Sequence, residues 1–88
     1  MPSRTVAVGS ASGLHARPAA LFVAAAARQP VPVMIRTAEK KPVPARSMLS
    51  VLSLGAKCGT EVTIEADGDG ADAALDELAE LLRRDLDE

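Results

Sequence analysis

Aromatic side chains are almost absent from this chain of 88 residues, which contains Phe22 but no tryptophan and no tyrosine. Proteins that bind single-stranded nucleic acids stack the bases on aromatic side chains, so this mode of binding is disfavoured. The formal net charge of −2 also predicts no broad basic surface for a phosphate backbone. We therefore expect no nucleic-acid partner.

Cysteine and long apolar runs are equally scarce. Cys58 is the single cysteine of the sequence, so no internal disulfide can form and a reducing compartment is favoured. No run approaches the roughly 18 apolar residues of a membrane-spanning helix, and the N-terminal residues lack the apolar run of a signal peptide. We expect one cytoplasmic, monomeric domain over residues 1–88 that does not insert into a membrane.

Side chains that bind metal ions are also few. The sequence contains a single histidine, His15, and this residue and Cys58 are too few to build a tetrahedral site. The acidic group Asp67, Asp69 and Asp72 lacks the twelve-position loop, ending in glutamate, that binds calcium. We expect neither a metal ion nor another cofactor, and we interpret Cys58 as a loop or strand-entry residue.

The apolar pattern changes its period several times and predicts seven elements of secondary structure. The predicted strands cover residues 5–8, 31–37, 41–45 and 60–66, and the predicted helices cover residues 16–28, 48–54 and 71–86. Pro42 and Pro44 remove two ladder donors from the third strand, so it should lie at a sheet edge. The order βαββαβα predicts an α+β open-faced two-layer sandwich, in which the helices cover one face of an antiparallel sheet.

Spacings of three and four residues predict which helix faces are buried. For the first helix the predicted face consists of Ala16, Ala19, Ala20, Val23, Ala26 and Ala27, with Phe22 at its flank. For the last helix it consists of Ala71, Ala74, Leu75, Leu78, Leu81 and Leu82. We expect Asp69 or a neighbour to cap the last helix, Ser47 to cap the start of the middle helix, and Gly55 to end it.

The segment from Gly13 to Ala20 is the most informative part of the sequence. It places His15 after a glycine turn and at the predicted start of a helix. The first N–H groups of a helix have no partner within the helix, and the aligned peptide dipoles add roughly half a positive charge there. A phosphoryl group on His15 could bind the N–H groups of Ala16 and Arg17 and the Arg17 guanidinium. The same positive end favours the neutral imidazole, which is the nucleophilic form.

The sequence Gly13-Leu14-His15-Ala16-Arg17-Pro18-Ala19 resembles the phosphorylation motif of HPr, the histidine-containing phosphocarrier family of the bacterial sugar phosphotransferase system. Residues 46–55 resemble the second signature of that family, and the likeness extends over nearly the whole chain. The resemblance implies a sheet of strand order 1-4-2-3. It also implies that His15 accepts a phosphoryl group on Nδ1 from enzyme I and passes it to IIA domains of sugar permeases, while Arg17 stabilises the phosphate.

The second signature contains two further candidate sites. Ser47 matches the serine that a regulatory kinase phosphorylates in many Gram-positive members of the family, although Pro44, Ala45 and the pair Met48-Leu49 depart from the usual pattern; a plain N-cap is the alternative. For partner docking we expect an adaptable apolar patch beside His15. Its predicted members are Ala20, Ala24, Met48, Leu49 and Leu52, whereas Val51 and Leu54 should face the core.

Three other functions are compatible with parts of the sequence. A phosphohydrolase could use His15 as nucleophile, but the motif contains no acidic residue and the chain is too short for a deep cleft. An RNA-binding module would need the aromatic side chains that are missing. A carrier in a regulatory phosphorelay, such as a nitrogen branch, would keep the family's chemistry and differ only in its partners.

Overall fold

The computed structural model describes residues 2–11, 13–14, 16–38 and 40–84, and of Ala16 only the backbone. The elements are β1 Ser3–Ala7, α1 Ala16–Ala27, β2 Val33–Thr37, β3 Val43–Pro44, α2 Met48–Ser53, β4 Glu61–Ala66 and α3 Ala71–Arg83. The predicted order βαββαβα is therefore confirmed. Within the described ranges, no helix is long and apolar enough to cross a membrane.

The four strands form one antiparallel sheet in the order β1-β4-β2-β3. β4 is central, because Thr63 pairs with Thr5 of β1 on one side and with Arg36 of β2 on the other. β3 has only two residues and lies at an edge, where Met34 pairs with Pro44. The prolines explain this position, since a strand without ladder donors can be bonded on one side alone. The predicted strand order and edge are both confirmed.

The core lies between the sheet and the helices, and the opposite face of the sheet has no helical layer. Residues alternate along β4, with Val62 and Ile64 fully buried and Thr63 half-buried on the open face. From the helices, Phe22, Leu75 and Leu78 are fully buried against this surface. The fold is the predicted open-faced sandwich, and its single aromatic side chain is at the centre of the core.

The buried face of α1 differs from the prediction. Phe22 is fully buried rather than flanking, while Ala20 and Ala27 are exposed and Val23 is only half-buried. The buried residues are Pro18, Ala19, Phe22, Ala25 and Ala26. An alanine-rich helix is apolar all round, so alanine spacing cannot fix its orientation. The largest side chain fixes it instead, because burying Phe22 removes the most apolar area from water.

The structure defines the N-cap, the buried face and the end of α3. Gly70, with φ of 89°, is the N-cap of α3 and makes no side-chain hydrogen bond, so the cap is the neighbour of Asp69 and not Asp69 itself. A left-handed N-cap suits glycine, because it has no Cβ. Along α3, Ala79 is buried and Leu81 only half-buried, the reverse of the expectation for Leu81. α3 ends at Arg83, because the C-cap Arg84 is extended, so the helix stops about three residues before the predicted end near Leu86.

β1 is attached to α3 by an ion pair as well as to β4 by the sheet. Arg4 donates from Nε to Asp76 at 3.0 Å and from Nη2 to Asp72 at 3.3 Å. The bond to Asp76, followed by the bond to Asp72, raises the pKa of Arg4 above its ordinary value. Both carboxylates lie outside the core, so the two ion pairs contribute little to the free energy of unfolding. We attribute to them the orientation of the edge strand β1 against α3.

Candidate functional site

The loop that leads to the histidine motif is held tightly by its neighbours. Gly13 has a φ of 78° and is buried. A Cβ at this position would lie 2.7 Å from the Cα of Lys57 and would also collide with the carbonyl oxygen of Ala56. The N–H of Leu14 donates to that same oxygen at 2.8 Å, and the Leu14 side chain is buried. The residues just before His15 are therefore fixed against residues 56–57.

The same loop also contacts the end of α3. The N–H of Gly9 donates to the Leu82 carbonyl oxygen at 2.9 Å. A Cβ at Gly9 would overlap the carbonyl group of Arg83, so glycine is required for this approach. The chain between β1 and α1 is thus anchored to residues far away in the sequence, and α1 begins at a defined place.

The start of α1 offers free donors. α1 begins at Ala16, and Arg17 is its second residue. Among the described residues, the N–H groups of Ala16 and Arg17 have no acceptor. Pro18 follows in the first turn, where its missing N–H costs little. The Arg17 side chain is exposed and makes no ion pair with any described residue. Donors and a cation therefore flank position 15, while His15 itself lies outside the described residues.

The predicted docking residues divide between two helices that contact each other. Ala20 and Ala24 are exposed on α1, and Leu49 of α2 is 81% exposed. Met48 and Leu52 are half-buried and pack against the core. As expected, Val51 and Leu54 are buried. These residues supply both exposed contact area and packing beneath it.

Leu21 was missed by the sequence analysis. It is 41% exposed, and its position four residues after Arg17 places both on one face of α1. With Leu49 it forms the pair of exposed large hydrophobic residues in the described part of the chain. We define the α1–α2 patch as Ala20, Leu21, Ala24, Met48, Leu49 and Leu52. Assigning Phe22, the one large aromatic side chain, to the core would have placed its neighbour Leu21 on the solvent-facing side of α1.

Ser47 is the N-cap of α2, as predicted. Its φ of −101° and ψ of 113° are extended, and its Oγ accepts from the N–H of Ser50 at 3.3 Å. Gly55, with φ of 62°, follows the C-cap Leu54 and ends the helix as predicted. α2 therefore stays short, and Ser47 lies directly before Met48 and Leu49, two of the predicted docking residues.

The described residues contain no group of three or more His, Cys, Asp or Glu that could hold a metal ion. Cys58 is exposed in the loop between α2 and β4, as we interpreted it. A groove of about 260 Å3 lies beside Ala25 and Arg28, near the opposite end of α1. Nine residues separate Ala16 from Ala25, or about 13 Å along the helix, so this groove is remote from the histidine motif.

Basic and acidic residues are unevenly distributed along the sequence. Residues 1–60 contain eight basic residues and one acidic residue, whereas residues 61–88 contain eleven acidic and two basic residues. In the fold, exposed Arg46 adjoins Ser47, and Lys57 adjoins Gly13. Of the described acidic residues after residue 60, Glu61 and Glu65 lie on β4, Asp67 and Asp69 lie in the following turn, and the others lie on α3. Two described cations therefore lie near the motif, Arg17 in the first turn of α1 and Lys57 against Gly13.

Comparison with known proteins identifies the family. Residues 2–84 match the family model described as the PTS HPr component phosphorylation site. The chain belongs to the HPr family. Over 88 residues it is 52% identical to phosphocarrier protein HPr of Streptomyces coelicolor, with 100% of this chain and 95% of that protein covered. The resemblance drawn from the two motifs is confirmed.

Solved HPr structures share the fold. An HPr structure from Thermoanaerobacter tengcongensis matches with a TM-score of 0.91 and 34% identity, covering 100% of this chain and 98% of that one. Crh of Bacillus subtilis, described as a dimer with a swapping domain, matches with a TM-score of 0.75 and 39% identity, covering 97% of each chain. HPr membership implies a role in phosphotransfer and contact with enzymes of the phosphotransferase system.

Proposed function

We propose that His15 accepts a phosphoryl group on Nδ1 from phosphorylated enzyme I and passes it to IIA domains of sugar permeases. In the first transfer, the phosphorus bond to the donor breaks while the bond to Nδ1 forms. In the second, the bond to Nδ1 breaks while the bond to the acceptor forms. The phosphoryl group leaves as it arrived, so the protein acts as a stoichiometric carrier and not as an enzyme.

The start of α1 is the observation that carries this proposal. The N–H groups of Ala16 and Arg17, which have no acceptor among the described residues, follow His15 directly. Phosphate oxygens are stabilised by such donors and by the positive end of the helix. The exposed guanidinium of Arg17 adds charge-assisted bonds to the same oxygens. A phosphoryl group at position 15 would thus be bound without an enclosing pocket.

Docking follows from the α1–α2 patch. A carrier must meet several proteins at one site and release them quickly, which suits a small apolar patch with a charged margin. Leu21 and Leu49 provide the exposed apolar surface, and Met48 provides a side chain that adapts to different partners. We propose that enzyme I and the IIA domains bind this patch in turn.

The direct test combines the purified chain with enzyme I and phosphoenolpyruvate. We expect one acid-labile, base-stable phosphoryl group on His15, and His15→Ala should abolish the label without unfolding the protein. Arg17→Ala should slow transfer about tenfold or more, since a bond to a charged group contributes about 1.5–3 kcal/mol. Arg28→Ala is the matched control, because it removes an exposed arginine beyond the other end of α1. Label on serine alone, or no label, contradicts the proposal.

We also propose that Ser47 is a regulatory phosphorylation site. A phosphate on its Oγ would add about −1.5 to −2 charge beside Met48 and Leu49 and would replace the present bond to Ser50. Binding of enzyme I should then weaken. Ser47→Asp is expected to slow transfer from enzyme I, while Ser53→Asp, on the same helix, should slow it less. Treatment with a regulatory serine kinase and ATP, followed by mass spectrometry, locates the phosphate; equal slowing by both variants would contradict a special role for Ser47.

The acceptor distinguishes sugar transport from a regulatory phosphorelay. We propose the sugar branch, because the second signature with Ser47 is retained. Phosphorylated protein should transfer its label to IIA domains of sugar permeases faster than to the IIA domain of a nitrogen-branch relay. The opposite preference would assign the chain to the regulatory branch while leaving phosphorylation of His15 unaffected.

We further propose that the carrier is a monomer in the cytoplasm. A surface that meets partners in succession must remain accessible, and exposed Leu49 meets this requirement. Since Crh forms a dimer with a swapping domain, sedimentation over a range of concentrations is the appropriate measurement. A single species of about the chain mass of 9.1 kDa is expected, and a dimer at micromolar concentration would contradict it.

A further inference from the structure

Lys40, in the turn between β2 and β3, reaches the C-terminal end of α2. Its Nζ donates to the Ser53 carbonyl oxygen at 2.9 Å and to the Leu54 carbonyl oxygen at 3.3 Å. α2 has no basic residue in its own last turn. The cation that favours a helix C-terminus is therefore supplied by a different element.

The carbonyl groups at the end of α2 are all satisfied once Lys40 is included. Ser50 O accepts from Ser53 Oγ at 2.6 Å, Val51 O from Leu54 N at 3.2 Å, and Leu52 O from Gly55 N at 3.2 Å. The two remaining acceptors, on Ser53 and Leu54, are the pair that Lys40 binds. Without Lys40 these two carbonyl groups would depend on water alone.

α2 is too short to be stable without such attachments. It has six residues, whereas isolated helices below about 12–15 residues are marginal in water. Its N-terminal end is held by Ser47, and its middle is anchored by buried Val51. Its outer surface presents Leu49 to solvent. The orientation of Leu49 therefore depends on contacts at both ends of the helix.

We infer that Lys40 is a positioning residue for phosphotransfer, which holds α2 in the orientation that presents the α1–α2 patch to partner proteins. This inference rests on the proposed docking function of the patch. Lys40 acts through α2 and does not touch the phosphoryl group. Loss of its two bonds should free the last turn of α2 and weaken partner binding, with less effect on the transfer step itself.

Two measurements on the full chain test this inference. Amide hydrogen exchange reports α2 directly, and in Lys40→Met the protection of Leu54 and Gly55 should fall about three- to tenfold. Steady-state phosphorylation by enzyme I should show a KM raised by a similar factor and a kcat close to that of the wild type. Lys40→Arg can still donate to both carbonyl oxygens, so it should restore most of the protection and of the KM.

Lys41→Met is the matched control. Lys41 is exposed, carries the same charge one residue later, and makes no hydrogen bond or ion pair with the described residues. If Lys40 acts by its bonds to α2, Lys41→Met should leave exchange and KM unchanged. Unchanged exchange in Lys40→Met would overturn the inference. An equal rise of KM in both variants would also overturn it and would show that the loss of a positive charge, and not the loss of the bonds to α2, weakens partner binding. Failure of the wild-type protein to accept label from enzyme I would instead refute the proposed function, and the exchange result would stand.

Discussion

Replacement of Gly13 by alanine tests the close contact between the loop before His15 and residues 56–57. A left-handed backbone costs a residue with a Cβ about 1–2 kcal/mol, of which about 0.4–1 kcal/mol is returned by the lower freedom of the unfolded chain. The new Cβ would also meet Lys57 Cα at 2.7 Å, and such overpacking costs about 1–3 kcal/mol. Loss of the Leu14 bond to Ala56 would add about 0.5–1.5 kcal/mol.

We therefore expect Gly13→Ala to lower the free energy of unfolding by about 1.5–6 kcal/mol, out of a total of about 5–15 kcal/mol for a small domain. Gly59→Ala is the matched control. Gly59 lies in the facing loop with φ of 87°, but a Cβ there would have no heavy atom within 4 Å. Gly59→Ala therefore has only the cost of the left-handed backbone. That cost is about 1 kcal/mol once the lower conformational freedom of the unfolded chain is subtracted.

Urea denaturation followed by far-UV circular dichroism is the appropriate assay, because the chain has no tryptophan or tyrosine as a fluorescent reporter. In thermal melts, each kcal/mol should lower the Tm by about 4–8 °C. The two variants should differ by about 1.5–4.5 kcal/mol, the summed cost of the collision and the lost bond. If they are equally destabilised, the two loops do not approach as closely as described, and the rigid support for position 15 is wrong.

Three further predictions concern α2 and α3. Ser47→Ala removes the N-cap and should lower the free energy of unfolding by about 1 kcal/mol in urea titrations; no change would mean that the bond to Ser50 contributes nothing. Leu49→Ser should leave the Tm nearly unchanged, because Leu49 is 81% exposed, and should weaken enzyme I binding in calorimetry; a lower Tm with unchanged binding would contradict its place in the patch. The hydrogen bond from Arg83, aided by its charge, lowers the pKa of Glu80 below the ordinary 4.5. The stabilisation from ionised Glu80 is therefore present above pH 4.5 and is lost as the pH falls through the lowered pKa. The free energy of unfolding of Glu80→Gln should fall less steeply in acid than that of the wild type. Identical acid titrations of the two proteins would show that Glu80 contributes nothing.

The arrangement of elements could be predicted from the sequence because each rule acts on neighbouring residues. The alternation in β4 indicated a strand with one buried face, the prolines of β3 indicated an edge strand, and Ser47 and Gly55 marked both ends of α2. The central place of β4 was predicted only through the strand order that the resemblance to HPr implies. The orientation of α1 could not be predicted in this way, since its alanines are apolar on every side. It depends on where Phe22 finds a cavity to fill, which is a property of the whole core.

The contacts that support the candidate site were harder to predict from the sequence than its motif. The motif around Arg17 is contiguous, so its residues lead directly to the prediction of phosphate binding. Lys40 and Lys57 reach their positions only through folding, because each belongs to a loop remote in sequence from the residues it contacts. Sequence reasoning also treated charge as a total, and so it missed the separation between a basic first part and an acidic last part.

The pairing of β1 with β4 has a consequence for the newly synthesised chain. Thr5 and its partner Thr63 are 58 residues apart, and within the sheet β1 has no other neighbour. At about 5–20 residues per second, the ribosome needs about 3–12 s to make the intervening segment. During that time the first strand emerges with its backbone groups unpaired, so its edge is open to chaperones or to another nascent chain. Translation speed, and not only thermodynamic stability, should therefore influence how much of this protein reaches its native state.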